Sequence, residues 1–235
     1  MASAAQQIIR LGLGFIASQA LRAVADLEIA DRLAGGAKSV DALSVETGTH
    51  TDALYRIMRI LAAEGVFRET SPRHFELTEL GGALRSDAPS SARDFIRMMN
   101  REPYIAFSKL DHSVTTGRPA FDEVFGKARF DWLAEHPAEA ALFQRAMIAV
   151  SQGDNEAVAE AFDFRPFTRV IDVGGGHGQL LSLILERHQH LSGVLFDRPS
   201  GVDAAKSQLG SASTRIEFAT GDFSTRYRPG QMSTF

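Results

Sequence analysis

Arg169-Val170-Ile171-Asp172-Val173-Gly174-Gly175-Gly176-His177-Gly178, running on into Gln179 to Glu186, is the stretch that decides the fold. Its first five residues are a short β-branched run of the kind expected for a buried parallel strand. The glycines that follow make a turn, and the segment after them reads as a helix. Strand, glycine turn and helix together bring backbone close to a nucleotide, because a turn without side chains leaves its N–H groups open to the ligand.

The spacing indicates which nucleotide. A dinucleotide fingerprint requires G-x-G-x-x-G or A; Gly174 and Gly176 fit it, but the last position is Gln179. The order present is D-x-G-x-G-x-G, from Asp172 to Gly178. That order suits a cofactor without a pyrophosphate, in which the turn admits an amino-acid moiety and the acid ahead of it favours a cationic group. S-adenosyl-L-methionine carries both an ammonium and a sulfonium, so it is the expected cofactor and a nicotinamide coenzyme the second choice. Beyond the loop by about 20 residues, Val194-Leu195-Phe196 reads as a second strand ending at Asp197, where an acid accepts hydrogen bonds from a ribose diol. A third strand, Arg215 to Ala219, leads to Gly221-Asp222-Phe223, a position suited to adenine, with Asp222 on its amino group and Phe223 against its face.

Upstream the pattern is helical. Ile8, Ile9, Leu11, Phe15, Ile16, Leu21 and Val24 recur at mostly helical spacing, with Gly12 and Gly14 interrupting. A helix apolar over so much of its surface needs cover, either from a partner subunit or from its own domain. Ser39 begins a short helix that Gly48 closes, and Thr51-Asp52 caps a longer one with Leu54, Ile57, Met58, Leu61 and Ala62 on one face. Val66 to Glu69 and His74 to Leu77, joined through Ser71-Pro72-Arg73, predict a β-hairpin. Two helices, a tight turn and a hairpin make a winged helix. Arg56 and Arg59 sit where a DNA-reading helix would carry bases, but Asp52 and Glu64 bracket them, and a phosphate-tracking face should be clearly basic. Packing and dimerisation is the better role for this module. From Ser90 to Glu160 the helical pattern continues. Phe95, Met98, Met99, Tyr104, Phe107, Phe143 and Met147 there supply large, adaptable apolar groups whose usual role is core, and Met99, Tyr104, Phe107, Phe143 and Met147 are candidates to line a pocket for a flat substrate.

Composition narrows the classes further. Of the 235 residues 44% are hydrophobic and 23% charged, enough for a globular core, and a net charge of −4 gives no bulk attraction to nucleic acid or an anionic membrane. Cysteine is absent, which rules out disulfides and thiolate metal sites. His112 and His136 stand alone, without a second ligand at metal spacing, so no metal is expected. Leu11 to Leu21 is apolar but too short to span a bilayer, which points to a cytoplasmic protein.

Taken with their order along the chain, several of these segments resemble the bacterial and plant small-molecule O-methyltransferases of the caffeic acid and hydroxyneurosporene type. The matching stretches are Ser18-Gln19-Ala20-Leu21, Ala53-Leu54-Tyr55-Arg56, Leu77-Thr78-Glu79-Leu80-Gly81, Thr116-Gly117-Arg118-Pro119-Ala120-Phe121, Val173 to Gly178, and Gly221-Asp222-Phe223. The resemblance implies a mixed fold: a helical, winged-helix dimerisation domain (1–100), connector and substrate-pocket helices (101–164), and an α/β Rossmann-like domain (165–235) with its first three strands only. It also implies a homodimer, a small-molecule hydroxyl substrate, and cofactor contacts from Asp172, Gly174, Gly175, Gly176, Gly178, Asp197, Asp222 and Phe223.

The family places an apolar fourth strand and a histidine base after the Gly-Asp-Phe segment. Here Ser224 to Phe235 contains no strand-like run, and no histidine follows His190, so no catalytic base is assigned. A one-nucleotide frameshift after the Phe223 codon is compatible with this tail. The expectation that follows is a truncated enzyme, or a degenerate dimerisation partner, with marginal stability and little methyl transfer.

Overall fold

The computed structural model describes residues 3–209 and 214–221, and the chain divides into two compact units at Val150/Ser151. The first unit opens with α1 (Ala4–Gly12), α2 (Gly14–Asp26), α3 (Ile29–Arg32), β1 (Lys38–Ser39), α4 (Val40–Thr47) and α5 (Thr51–Ala63). It continues with β2 (Phe67–Ser71), β3 (His74–Leu77), α6 (Glu79–Gly82), α7 (Arg93–Met99), α8 (Glu102–Phe107), α9 (Leu110–Thr116), α10 (Ala120–Phe125) and α11 (Arg129–Glu135). Helix α12 (Pro137–Ala161) carries the chain into the second unit.

Local chemistry accounts for most boundaries here. The Ser39 hydroxyl accepts a hydrogen bond from the Ala42 amide at 3.1 Å and starts α4, and Gly48 ends it in the left-handed conformation. The start of α5 corrects the sequence expectation by one residue. His50 is the cap, its Nδ1 accepting from the Ala53 amide at 3.4 Å, because the Thr51 hydroxyl is engaged with Ser44 Oγ at 2.8 Å. Leu54, Met58 and Leu61 bury the predicted face of α5. Strands β1, β3 and β2 form an antiparallel sheet in that order, and Phe75 of β3 is fully buried against the α5 side with its ring edge-on to Tyr55.

The N-terminal segment is longer than the sequence suggests. Gly12 and Gly14 do not break it: the Leu13 amide donates to the Ile9 carbonyl, and the Ile16 amide to Leu13, so the chain keeps turning. The run Ala4–Asp26 spans 23 residues, long and apolar enough to cross a membrane by length and composition, unlike the shorter Leu11 to Leu21 stretch read from the sequence. Its second half instead joins the core of the first unit through Ala20 and Val24. Its first half leaves Ile8, Ile9 and Leu11 between 60% and 76% exposed, so within one chain its own domain does not cover this face.

Asp26, at the end of α2, ties distant helices together. Its carboxylate accepts from Arg97 Nε and Arg101 Nη2, both at 2.9 Å, and from Arg22 Nη1 at 3.1 Å. Alongside, Gln19 Nε2 donates to the Asn100 backbone carbonyl at 3.3 Å. Burial pushes the Asp26 carboxyl up, but the hydrogen bonds and charges of Arg97 and Arg101 outweigh it and hold it below the ordinary range.

The second unit contains β4 (Arg169–Val173), α13 (Gln179–Arg187), β5 (Ser192–Asp197), α14 (Pro199–Leu209) and β6 (Ile216–Thr220). The strands are parallel in the order β4-β5-β6, with Asp172 opposite Leu195 and Leu195 opposite Phe218. Val170, Leu195, Ile216 and Phe218 share one face and pack with Leu181, Ile184 and Leu185 of α13 and with Val202 and Ala205 of α14. Arg215, read from sequence as the first residue of the third strand, instead precedes it and donates to the carbonyls of Leu185, His188 and Leu191, closing the end of α13. Strand β4 is parallel but is not buried on both sides as expected: Ile171 and Val173 are 49% and 58% exposed. Among the described residues only one face of this strand is packed.

Replacing Asp26 by asparagine is expected to destabilise the protein by about 2 kcal/mol at neutral pH, the scale for breaking a partly buried ion pair. Because the folded pKa is lowered, the stabilisation is complete above the ordinary aspartate value of about 3.9 and disappears as pH falls through the lowered value. Thermal melts at neutral and acid pH check this; identical curves for the two proteins at neutral pH would refute it.

Candidate functional site

The second unit holds the site where β4 turns into α13. The Gly174 amide makes the last bond of the strand ladder, to the Phe196 carbonyl at 2.8 Å, and the Gly178 amide closes the turn onto the Gly175 carbonyl at 2.8 Å. Two glycines sit close against neighbouring side chains. A Cβ on Gly178, which starts α13 in the left-handed conformation, would sit 2.7 Å from Cδ1 of both Leu195 and Leu209. A Cβ on Gly175 would sit 2.8 Å from the Asp172 carboxylate. The turn is therefore pressed against the sheet on one side and presents bare backbone on the other.

Asp197 is locked to this turn. Its Oδ2 accepts from the Gly176 amide at 2.7 Å and its Oδ1 from the Arg198 amide at 2.6 Å. Each oxygen retains a further lone pair for a ligand. Asp172, half-buried under the glycines, has no hydrogen-bond or ion-pair partner among the described residues. Burial, and then the negative charge of Asp197, raise its pKa above the ordinary aspartate range. His177 is shifted down by burial, against the pull of Asp197, so it is neutral at neutral pH and supplies no countercharge. Two neighbouring carboxylates without a cation form a site for a positively charged ligand. The sequence treats His177 as loop filler; only its burial beside Asp197 distinguishes it.

The structure thus brings together Asp172, Gly174, Gly175, Gly176, Gly178 and Asp197. Asp222 and Phe223 lie outside the described residues. Gly221 before them bonds through its amide to the Asp197 carbonyl at 3.0 Å, so β6 ends beside the same site. Of the pocket candidates, Met99, Phe143 and Met147 gather in the first unit, packed on buried Met98, Leu142 and Ala146. Tyr104 and Phe107 on α8 are not part of that cluster, and Phe107 is 61% exposed. A residue the sequence did not single out joins it: Arg129, at the start of α11, has Nη2 3.5 Å from Met98 Sδ and its guanidinium 5.2 Å from the Phe143 ring centre. No group of three or more metal-ligating side chains occurs among the described residues.

Known proteins share this organisation. Residues 107–231 match the O-methyltransferase domain and residues 9–87 the O-methyltransferase dimerisation domain. The chain belongs to the O-methyltransferase family. Phenazine O-methyltransferase PhzM of Lysobacter antibioticus is 38% identical over 92% of this chain. The crystal structure of LaPhzM superposes with a TM-score of 0.86 at 36% identity, covering 94% of this chain and 68% of that one. NcsB1, an O-methyltransferase from neocarzinostatin biosynthesis solved with S-adenosylmethionine and 2-hydroxy-5-methyl naphthoic acid, superposes at 0.77 with 31% identity, covering 88% of this chain and 65% of that one. The chain spans 64% of the length of the Lysobacter relative.

Asp172→Asn removes a buried charge with no partner, so the ligand-free variant should melt at a higher temperature than the parent. The same change should weaken S-adenosylmethionine by about tenfold or more, the scale of a charge-assisted contact. For the parent, a raised pKa means that affinity declines as pH falls from neutral through a window above the ordinary aspartate value. Calorimetric titration and thermal melts measure both; an Asn variant that binds as well as the parent would remove Asp172 from the site.

Proposed function

We propose that this O-methyltransferase family member uses S-adenosyl-L-methionine to methylate a hydroxyl of a small aromatic or polyketide-like substrate, and works as a homodimer. The observation that carries this is the pair of carboxylates, Asp172 and Asp197, set around a glycine turn, with no ion pair to either among the described residues. Asp172 would face the cationic amino-acid end of the cofactor, and Asp197 its ribose hydroxyls. Gly174, Gly175, Gly176 and Gly178 would leave the space that the amino-acid moiety fills. Asp222 and Phe223 are assigned to the adenine. When bound, the cofactor supplies an electrophilic methyl group on its sulfonium. The chain's own contribution is to bind and orient the two reactants and to keep water from between them. Met99, Phe143 and Met147, with Tyr104 and Phe107, are assigned to the substrate ring. Removal of the hydroxyl proton is assigned to no residue of this sequence. The expectation of impaired transfer rested on where the chain ends, and nothing among the described residues supports it.

The first unit is proposed to be a winged-helix module, α4, α5 and the β2–β3 hairpin with β1, used for packing and dimerisation and not for DNA. Arg73 in the hairpin turn supports this, since it is held by Asp52 at 3.1 Å and Asp41 at 3.7 Å and so adds no free positive charge. The exposed apolar side of α1 is assigned to a second copy of the chain, which would take it out of water without a bilayer and fits an aqueous, cytoplasmic setting.

Calorimetric titration of the full chain with S-adenosylmethionine and with NAD tests the cofactor assignment. Binding of the first alone is expected; binding of NAD, or of neither, would overturn it. For assembly, sedimentation should give a dimer for the parent chain and a monomer for Leu11→Glu. A monomeric parent, or a dimer unaffected by the substitution, would remove α1 from the interface.

A further inference from the structure

Among the described residues of the first unit, the partly buried cations other than Arg129 are matched by acids, whereas unpaired ones such as Arg56, Arg59 and Arg118 lie exposed. Arg22, Arg97 and Arg101 share Asp26, Arg145 reaches Asp94 at 2.7 Å, and Arg93 reaches Asp31 at 2.9 Å. Arg129 is different. It lies half-buried at the start of α11, and no carboxylate of the described residues comes within ion-pair distance of it. Its contacts are a thioether, Met98 Sδ at 3.5 Å, and an aromatic face, Phe143 at 5.2 Å. Glu102 is the one acid whose field reaches it appreciably, and burial still holds its pKa below the ordinary arginine value. An arginine remains charged at neutral pH even so. Sulfur and ring contacts leave its other N–H donors to solvent, free to take an incoming acceptor. A half-buried guanidinium against methionine and phenylalanine, with no carboxylate paired to it among the described residues, is set to receive an anion.

We infer that Arg129 is a specificity residue for the substrate, and that the substrate is an aromatic acid whose carboxylate it receives while the ring lies against Phe143, Met99 and Met147. This rests on the reading that the cluster lines the substrate pocket. A planar guanidinium binds a carboxylate with two parallel hydrogen bonds, which fixes the plane of an attached ring as well as its position. Such a clamp also orients the hydroxyl at the other end of the ring. A neutral isostere of the same shape would keep the ring contacts and lose the clamp.

The experiment compares a hydroxynaphthoic acid with its carboxamide, each titrated calorimetrically into the full chain saturated with S-adenosylhomocysteine. Parent, Arg129→Met, Arg129→Lys and Phe143→Ala proteins are measured, with thermal melts to show that each is folded. The parent is expected to prefer the acid at least tenfold. Arg129→Met should bring acid and amide within about twofold of each other while amide affinity stays unchanged, and Arg129→Lys should keep part of the preference. Equal binding of acid and amide by the parent, or a preference that survives Arg129→Met, would overturn the role of Arg129. If Phe143→Ala still weakens both ligands in that case, the pocket assignment stands without it. Ligand binding indifferent to both Phe143 and Arg129, or no binding of either aromatic, would overturn the pocket assignment as well.

Discussion

Close approach of backbone to sheet at the β4–α13 turn is the constraint on which the second unit depends. The turn has to pass over Leu195 and Leu209 and still leave room for the Asp172 carboxylate, and a methyl group at Gly175 or Gly178 would occupy that room. Once the turn is seated, the Gly176 amide meets Asp197 and the two carboxylates become neighbours. That geometry leaves two neighbouring acids, the place proposed for a cationic ligand.

Charge pairing shows the same logic over the whole molecule. Opposite charges meet across the first unit: Asp26 collects Arg22 of its own helix, Arg97 of α7 and Arg101 just beyond α7, and Arg73 is held by two aspartates. Where it is proposed to bind, two partly buried charges have no ion-pair partner among the described residues, Asp172 in one unit and Arg129 in the other. A ligand of opposite sign would compensate each. Charges placed in this way are characteristic of functional sites, where groups are arranged for the ligand and not for the fold.

Exposed apolar surface follows a related rule. The side of α1 bearing Ile8, Ile9 and Leu11 is not covered by the described residues, although the helix that continues it is anchored in the core by Ala20 and Val24. Exposed apolar surface of this kind suits an interface better than water.

Much of this was legible in the order of residues alone. The strand, glycine turn and helix around Asp172 to Gly178, the strand ending at Asp197, the caps at Ser39 and Gly48, and the hairpin after α5 all depend on neighbours within a few residues or on a fixed backbone requirement. Periodicity and turn chemistry encode such features directly. Features that depend on what lies across the fold were not legible. The grip of Asp26 on Arg97 and Arg101 links positions 71 and 75 residues apart. The move of the α5 cap to His50 accompanies the Ser44–Thr51 hydrogen bond. The half-exposed face of β4 and the missing partner of Arg129 are likewise statements about what does not come near. Sequence determined which groups could bind and where the chain must turn; only tertiary structure decided which charges are neutralised and which are left for a ligand, because that depends on distances between segments that no local pattern records.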